Sequence, residues 1–223
     1  MIIFENCGTL FSVKKLFFEV EMNKIKKEYL NWRRRLLSRR VNKMLDLSDV
    51  SIISMNCYGG ILYHDCNSRF LSPTIDLYFD PSDFIKFVNN LELYLSETPR
   101  VVMGEKFPIG SIENVKLFFM HYSTPEEALR KWEERKKRVN WDKIFVIVAD
   151  RNGFTDKDFE DFKKIKYPKF LITNREKYKC GDSVFIKKYA NKGELPDVIP
   201  GRYMYYKMAL PKAIKRFLDN TRH

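Results

Sequence analysis

Four polar clusters in this chain each follow a short apolar run rich in β-branched or aromatic residues. Asn56-Cys57-Tyr58-Gly59-Gly60 follows Val50–Met55, and His121-Tyr122-Ser123 follows Val115–Met120. Asp150-Arg151-Asn152-Gly153 follows Ile144–Ala149, and Asn174-Arg175 follows Phe170–Thr173. Together they offer an imidazole, a carboxylate, guanidiniums and backbone glycines. His121 is a candidate acid or base because an imidazole titrates near neutrality. Asp150 is a second candidate, as a carboxylate at the end of an apolar run. Asn56, Gly59, Gly60, Arg151, Asn174 and Arg175 are candidates for substrate binding. Gly59-Gly60 would let backbone amides approach a phosphate. The pair is neither a dinucleotide fingerprint nor a Walker loop, and a tight turn accounts for it as well. The Asp-Arg-Asn-Gly cluster likewise suits a plain turn.

Other reactive residues carry weaker signals. Cys57 would be a nucleophile if His64 or His121 lay beside it, but buried, inert cysteine is the commoner state. Asp156-x-Asp158 has the look of a metal-binding pair, yet it sits in the first turn of an expected helix, where acids offset the helix dipole. No metal site is expected, and no motif names a cofactor. The cysteines at 7, 57, 66 and 180 show no C-x2-C spacing, which excludes a zinc knuckle and a thioredoxin-type motif.

The elements that must hold these clusters read as strands alternating with helices. Besides the four runs above, Thr74–Phe79 and Ser183–Ile186 are expected strands. Most are continuous rather than alternating, as in a parallel sheet covered on both faces. Asp80-Pro81-Ser82-Asp83 opens a helix with proline in its first turn. Thr124-Pro125-Glu126-Glu127 is a capping-box sequence for a helix running to about Arg138, and Thr155-Asp156-Lys157-Asp158 opens a third. On the second of these, Ala128, Trp132, Arg135 and Val139 share one face. Arg135 on an apolar stripe calls for a carboxylate such as Asp150, or a ligand phosphate, and so joins the binding candidates.

The fold class expected is α/β: a largely parallel sheet of about five to seven strands with helices on both faces, plus a long basic N-terminal helix. Residues 1–47 form the basic N-terminal segment, with Ile2–Glu5 a candidate strand and a helix over Asn23–Leu45. Residues 48–223 form the α/β domain, which ends in a short basic helix, Lys212–Asn220. Ligands of such a sheet collect beyond the carboxyl ends of its strands. The tips bearing Asn56, His121, Asp150 and Asn174 should therefore gather on one rim around a charged ligand.

Charge is concentrated at the start. The net charge is +12, and the segment Lys14–Lys43 supplies +8 of it, with eleven basic residues against Glu19, Glu21 and Glu28. Such a stripe suits anionic lipid, nucleic acid or another phosphate-rich partner. On the expected helix Ile25, Tyr29, Trp32, Leu36, Val41 and Met44 approximate one stripe. Aromatic residues at that period read as core, which argues against nucleic-acid stacking by Tyr29 and Trp32. The longest purely apolar runs are about six residues, far short of the roughly 20 that a membrane-spanning helix needs. With no secretory signal and no disulfide pattern, a cytoplasmic protein is expected, held at the inner face of the membrane through Lys24–Lys43.

Several spaced segments also carry a resemblance. They include Ile52-Ile53-Ser54-x-Asn56-Cys57-Tyr58-Gly59-Gly60, Phe70-Leu71-Ser72-Pro73-Thr74, Asp83-Phe84-Ile85-Lys86-Phe87 and Pro108-Ile109-Gly110. Phe119-x-His121-Tyr122, Ala128-x-x-Lys131-Trp132-x-x-Arg135-x-x-Arg138-Val139-Asn140, Phe145-Val146-Ile147 and Asp150-Arg151 continue it. Over roughly residues 48–175 the chain resembles a bacterial family of unknown biochemical function whose members are labelled exopolysaccharide biosynthesis proteins. The family more often has Cys-Trp where this chain has Cys57-Tyr58. The resemblance implies a role in making cell-surface polysaccharide and supplies no reaction. Two expectations follow. One is a transferase acting on a nucleotide-sugar or a lipid-linked saccharide. In it His121 or Asp150 would deprotonate an acceptor, and Arg135, Arg151 or Arg175 would neutralise a diphosphate. The other is a non-catalytic module that organises polysaccharide assembly, and nucleic-acid binding through the basic helix stands as a third alternative.

Overall fold

A computed structural model describes residues 7–196 and 202–221, with the backbone alone for residues 7–21. The candidate strand over residues 2–5 lies outside the described residues. The elements run in the order α1 (Cys7–Met44), β1 (Ser51–Ser54), α2 (Tyr58–Asp65), α3 (Pro81–Asn89), α4 (Leu91–Ser96), β2 (Arg100–Met103), β3 (Pro108–Ile112), β4 (Val115–Phe118), α5 (Pro125–Lys136), β5 (Ile144–Ala149), α6 (Asp156–Lys163), β6 (Lys169–Thr173), β7 (Ser183–Phe185) and α7 (Ala209–Asn220). The class is mixed α/β. A four-stranded parallel sheet has the order β1-β5-β6-β7, and a separate antiparallel sheet has the order β2-β3-β4.

The parallel sheet is the centre of the core. All six residues of β5 are buried. Successive side chains point to opposite faces, so both faces must be covered. Phe145 meets Phe217 of α7, and α3 packs on β5 and α6. Among the described residues β1 pairs with β5 alone, which leaves one edge of β1 without a described strand partner. Side chains fill that edge. The Ile52 N–H donates to the Tyr63 hydroxyl (2.9 Å) and the Ser54 N–H to Thr74 Oγ1 (3.0 Å), while the Tyr63 hydroxyl donates to the Val50 carbonyl (2.6 Å).

The seven strands are thus divided between two sheets. Thr74–Phe79 does not form a strand. Asp76 adopts a left-handed backbone (φ 64°), which breaks the extended run, and only Tyr78 pairs, in a single bridge to Phe118. Val115–Met120 contains β4, but in the antiparallel meander. β2 and β3, for which no expectation was formed, complete that sheet. Their pattern is short, exposed at β2 and interrupted by Pro108 and Gly110.

The helices follow their signals. Thr124 accepts from the Glu127 N–H at 3.2 Å, and Glu127 reaches back to the Ser123 N–H. Thr155 and Asp158 make a reciprocal capping box. Asp80 precedes Pro81 but makes no capping bond. On α5, Ala128, Trp132 and Arg135 are buried. The apolar stripe of α1 divides. Val41 is buried and Met44 packs against the core, whereas Tyr29 and Trp32 are 55% and 57% exposed. Those two aromatics are therefore surface residues and not the core residues that helical spacing suggests.

Candidate functional site

One structural device brings the ends of the two sheets together. The Phe79 N–H donates to the Met55 carbonyl at 3.0 Å, just past β1. Tyr78 exchanges two backbone bonds of 3.0 Å with Phe118, the last residue of β4, and their rings stack. The turn after β4 is thereby fixed beside the turn after β1. His121 Nε2 lies 3.6 Å from Cys57 Sγ. Of the two histidines considered as partners for Cys57, the structure brings up His121.

Cys57 stands at the junction of two clefts. The first, about 460 Å³, is lined by Gly60, His64, Asp76, His121, Arg34 and Arg202, with Ile61 and Phe70 as its apolar part. The second, about 480 Å³, is lined by Asn56, Tyr78, Asp80, Met120, Arg151 and Asn152. Four of the expected site residues therefore line clefts that meet at Cys57: Asn56 and Arg151 on one side, Gly60 and His121 on the other.

Gly59 has a different task. It is buried, and its N–H donates to Ser54 Oγ at 3.0 Å, which itself donates to the Asn56 carbonyl at 2.6 Å. A Cβ on Gly59 would lie 2.7 Å from that oxygen. Glycine here lets the first turn of α2 sit against β1, and Asn56 Oδ1 accepts from the Tyr58 N–H (3.3 Å) to start the turn.

The other tips close on one another. Asp150 is 2% exposed, and it forms an ion pair with Arg175 and accepts from Thr173 Oγ1 at 2.6 Å. Arg175 also donates to the Phe154 carbonyl and sits over the Tyr178 ring. Asn174 Nδ2 donates to the Tyr189 and Lys192 carbonyls at 3.1 and 2.6 Å, pinning the chain after β7. Asp150, Asn174 and Arg175 line neither cleft at Cys57. Arg135 does not reach Asp150. It donates to the Ile75 carbonyl (3.0 Å) and the Tyr122 hydroxyl (2.6 Å) and approaches Asp76 at 3.5 Å, so it holds the Asp76 side of the first cleft from behind. Burial pushes the Tyr122 hydroxyl up to about 12, against the pull of Arg135. Asp156 serves Lys177 and Tyr178, and Asp158 caps α6. Among the described residues no group of three His, Cys, Asp or Glu could hold a metal ion.

Sequence reasoning missed Asp80, Asp65 and Arg202. Asp80 faces the second cleft, where burial, and then the neighbouring Asp83, raise its carboxyl above the ordinary carboxylate value against the opposing pull of Lys116. The signal was present but pointed elsewhere, because Asp before Pro reads as a helix cap. Asp65 is buried and accepts from Arg202 Nε (3.1 Å), the Tyr205 hydroxyl (2.7 Å) and Ser38 Oγ (2.8 Å). It ties α1, α2 and the C-terminal segment around the first cleft. Beneath the rim the Tyr58 and Tyr203 hydroxyls meet at 2.5 Å, and burial followed by that contact pushes Tyr58 well above its ordinary value. Nothing local in the sequence marks contacts 137 to 145 residues apart.

The fold and site define a mixed α/β protein with two clefts meeting at a strand-end cysteine. The model of a domain of unknown function, DUF1919, matches residues 28–214, and the chain belongs to that family. The match is longer than the stretch 48–175 and takes in the second half of α1. The chain is also similar to a Haemophilus influenzae protein called "Uncharacterized protein", 30% identical over 177 residues, which cover 78% of this chain and 86% of the relative. Among the described residues no helix is long and apolar enough to cross a membrane.

Proposed function

We propose that this protein is a transferase of cell-surface polysaccharide biosynthesis, acting on a nucleotide-sugar or a lipid-linked saccharide at the paired clefts. The observation that carries the chemistry is the His121 imidazole 3.6 Å from Cys57 at the junction of those clefts. His121 takes the role of base toward an acceptor hydroxyl. Arg151 in one cleft and Arg34 in the other supply positive charge for a diphosphate leaving group, the chief electrostatic demand of such a transfer. Asp80 lines the second cleft beside Asn56 and Arg151, with burial raising its carboxyl above the ordinary carboxylate value. Asp150 takes no part, because its oxygens are engaged by Arg175 and Thr173. The polysaccharide context rests on the resemblance of residues 48–175.

The Cys57 contact favours one second reading, in which the thiol deprotonated by His121 is itself the nucleophile. A covalent adduct retained by Cys57 and absent from Cys57→Ser separates the two, since Cys57→Ser retains turnover only in the first.

The test is a thermal-shift series with nucleotide-diphosphate sugars, joined to polymer output in producing cells. A ligand raises the melting point with the logarithm of its concentration over its dissociation constant. His121→Gln should melt as the wild type does and stop polymer production. If it loses stability while output per folded molecule is unchanged, the reading gives way to a non-catalytic assembly module.

A further inference from the structure

The exposed stripe of α1 has no place in the chemistry above. Met22, Ile25, Tyr29, Trp32 and Leu36 are 43–59% exposed and follow one another at spacings of three and four residues. At about 100° per residue, the stripe lies roughly 120° around the helix from Leu30, Leu37 and Val41. Leu30 and Leu37 line a cleft against the C-terminal segment, and Val41 is buried. The body of the protein thus holds one face of α1 and leaves the apolar stripe facing away. Between residues 22 and 44 nine Lys or Arg stand against one acid, Glu28.

We infer that α1 seats on an anionic bilayer through Met22, Ile25, Tyr29, Trp32 and Leu36, with the flanking lysines and arginines on lipid phosphates. The composition fits each layer of the interface. Aliphatic side chains enter the acyl boundary, Tyr29 and Trp32 sit at headgroup level, and cations face the charged surface. A second copy of the chain fits less well. Five positions make about two heptads, short of the three to four that sustain a coiled coil. The flanking Lys26, Arg33 and Arg35 would meet like charge across it. Nucleic acid would use the cations and stack on two aromatic rings, but it gives Met22, Ile25 and Leu36 nothing to bury against.

The full chain is mixed with vesicles of phosphatidylcholine, alone or with phosphatidylglycerol, and sedimented across a salt series. Binding to the mixed vesicles alone is expected, weakening as salt rises. Trp emission should shift to the blue on binding, and the shift should be absent in Trp32→Phe. The double variant Ile25→Ser, Trp32→Ser keeps every charge and alters only exposed residues, so it should fold normally. It should bind on the order of a hundredfold more weakly. Lys26→Gln should cost roughly fivefold. Three results overturn the inference. One is binding of the double serine variant to the mixed vesicles as tight as that of the wild type, which would leave charge alone. The wild type could be a dimer that the same substitutions separate. Random duplex DNA could be bound in preference to the mixed vesicles.

Discussion

The tips of β1 and of β5–β6 occupy equivalent places in one parallel sheet, yet they end in opposite ways. Beyond β1 the chain turns into α2 through Asn56 and Cys57, and the meander brings His121 alongside, leaving polar groups on open clefts. Beyond β5 and β6 most of the charges find each other: Asp150 takes Arg175 and Thr173, and Asn174 ties down the residues after β7, while Arg151 turns to the second cleft. The place beyond a strand end therefore does not by itself make a site. What decides is whether complementary partners lie within reach. At β1 the neighbouring tip is supplied by a second sheet, which holds the imidazole beside the thiol without consuming the other groups.

The largest effects should fall on the closed clusters. Asp65→Ala breaks a buried ion pair with Arg202 and removes the acceptor of Tyr205 and Ser38, and should cost about 3–5 kcal/mol. Asp150→Ala should cost less, since Arg175 is about one-third exposed and can turn to water. Denaturant unfolding of both variants checks the order. At the open tip, Cys57→Ser and His121→Gln should change stability by no more than about 0.5 kcal/mol. If Asp65→Ala and His121→Gln destabilise equally, the division between holding clusters and a working site fails.

The adjacent glycines sharpen the same contrast at the scale of one methyl group. Gly59→Ala drives a Cβ to 2.7 Å from Ser54 Oγ and 3.3 Å from the Ile52 carbonyl, and should cost about 1–3 kcal/mol. Gly60→Ala meets Ile75 at an ordinary 3.5 Å within α2. It should stabilise by about 0.5–1 kcal/mol through helix propensity. Paired thermal melts read both signs, and Gly60→Ala tests at the same time whether its side of the cleft tolerates a methyl group during turnover.

The class of fold, the continuous buried strand at Ile144–Ala149 and the Thr124 and Thr155 helix starts were legible because each rests on a local pattern. The division into two sheets was not. It depends on a left-handed Asp76 and on Tyr78 choosing Phe118 as its partner, and neither is a matter of composition. The strand-end rule located Asn56, Arg151 and Asp150 as residues beyond strands, but it could not show which of them would be taken up by neighbours. His121 was singled out for the wrong strand geometry and still arrives beside Cys57, because the meander folds back on the sheet. Arg135 was legible as a buried charge needing a partner, while the partner itself, Asp76, sits on a segment expected to be regular strand.

Asp80 gives the smallest effect and the finest test of the open tip. Its carboxyl is raised in the fold by burial and by Asp83, so the folded protein binds the proton more tightly than the unfolded chain. Between the ordinary carboxylate value and the raised one, the folded state carries more bound protons. Stability contributed by this group is therefore present at lower pH and falls as pH rises through that window. Asp80→Asn should remove the slope without altering the rest of the profile, as read by denaturant midpoints across the acid range. The same substitution should flatten the matching limb of the activity profile if Asp80 delivers a proton in the second cleft. A slope that survives in Asp80→Asn would assign it to other groups and would leave the second cleft with binding alone.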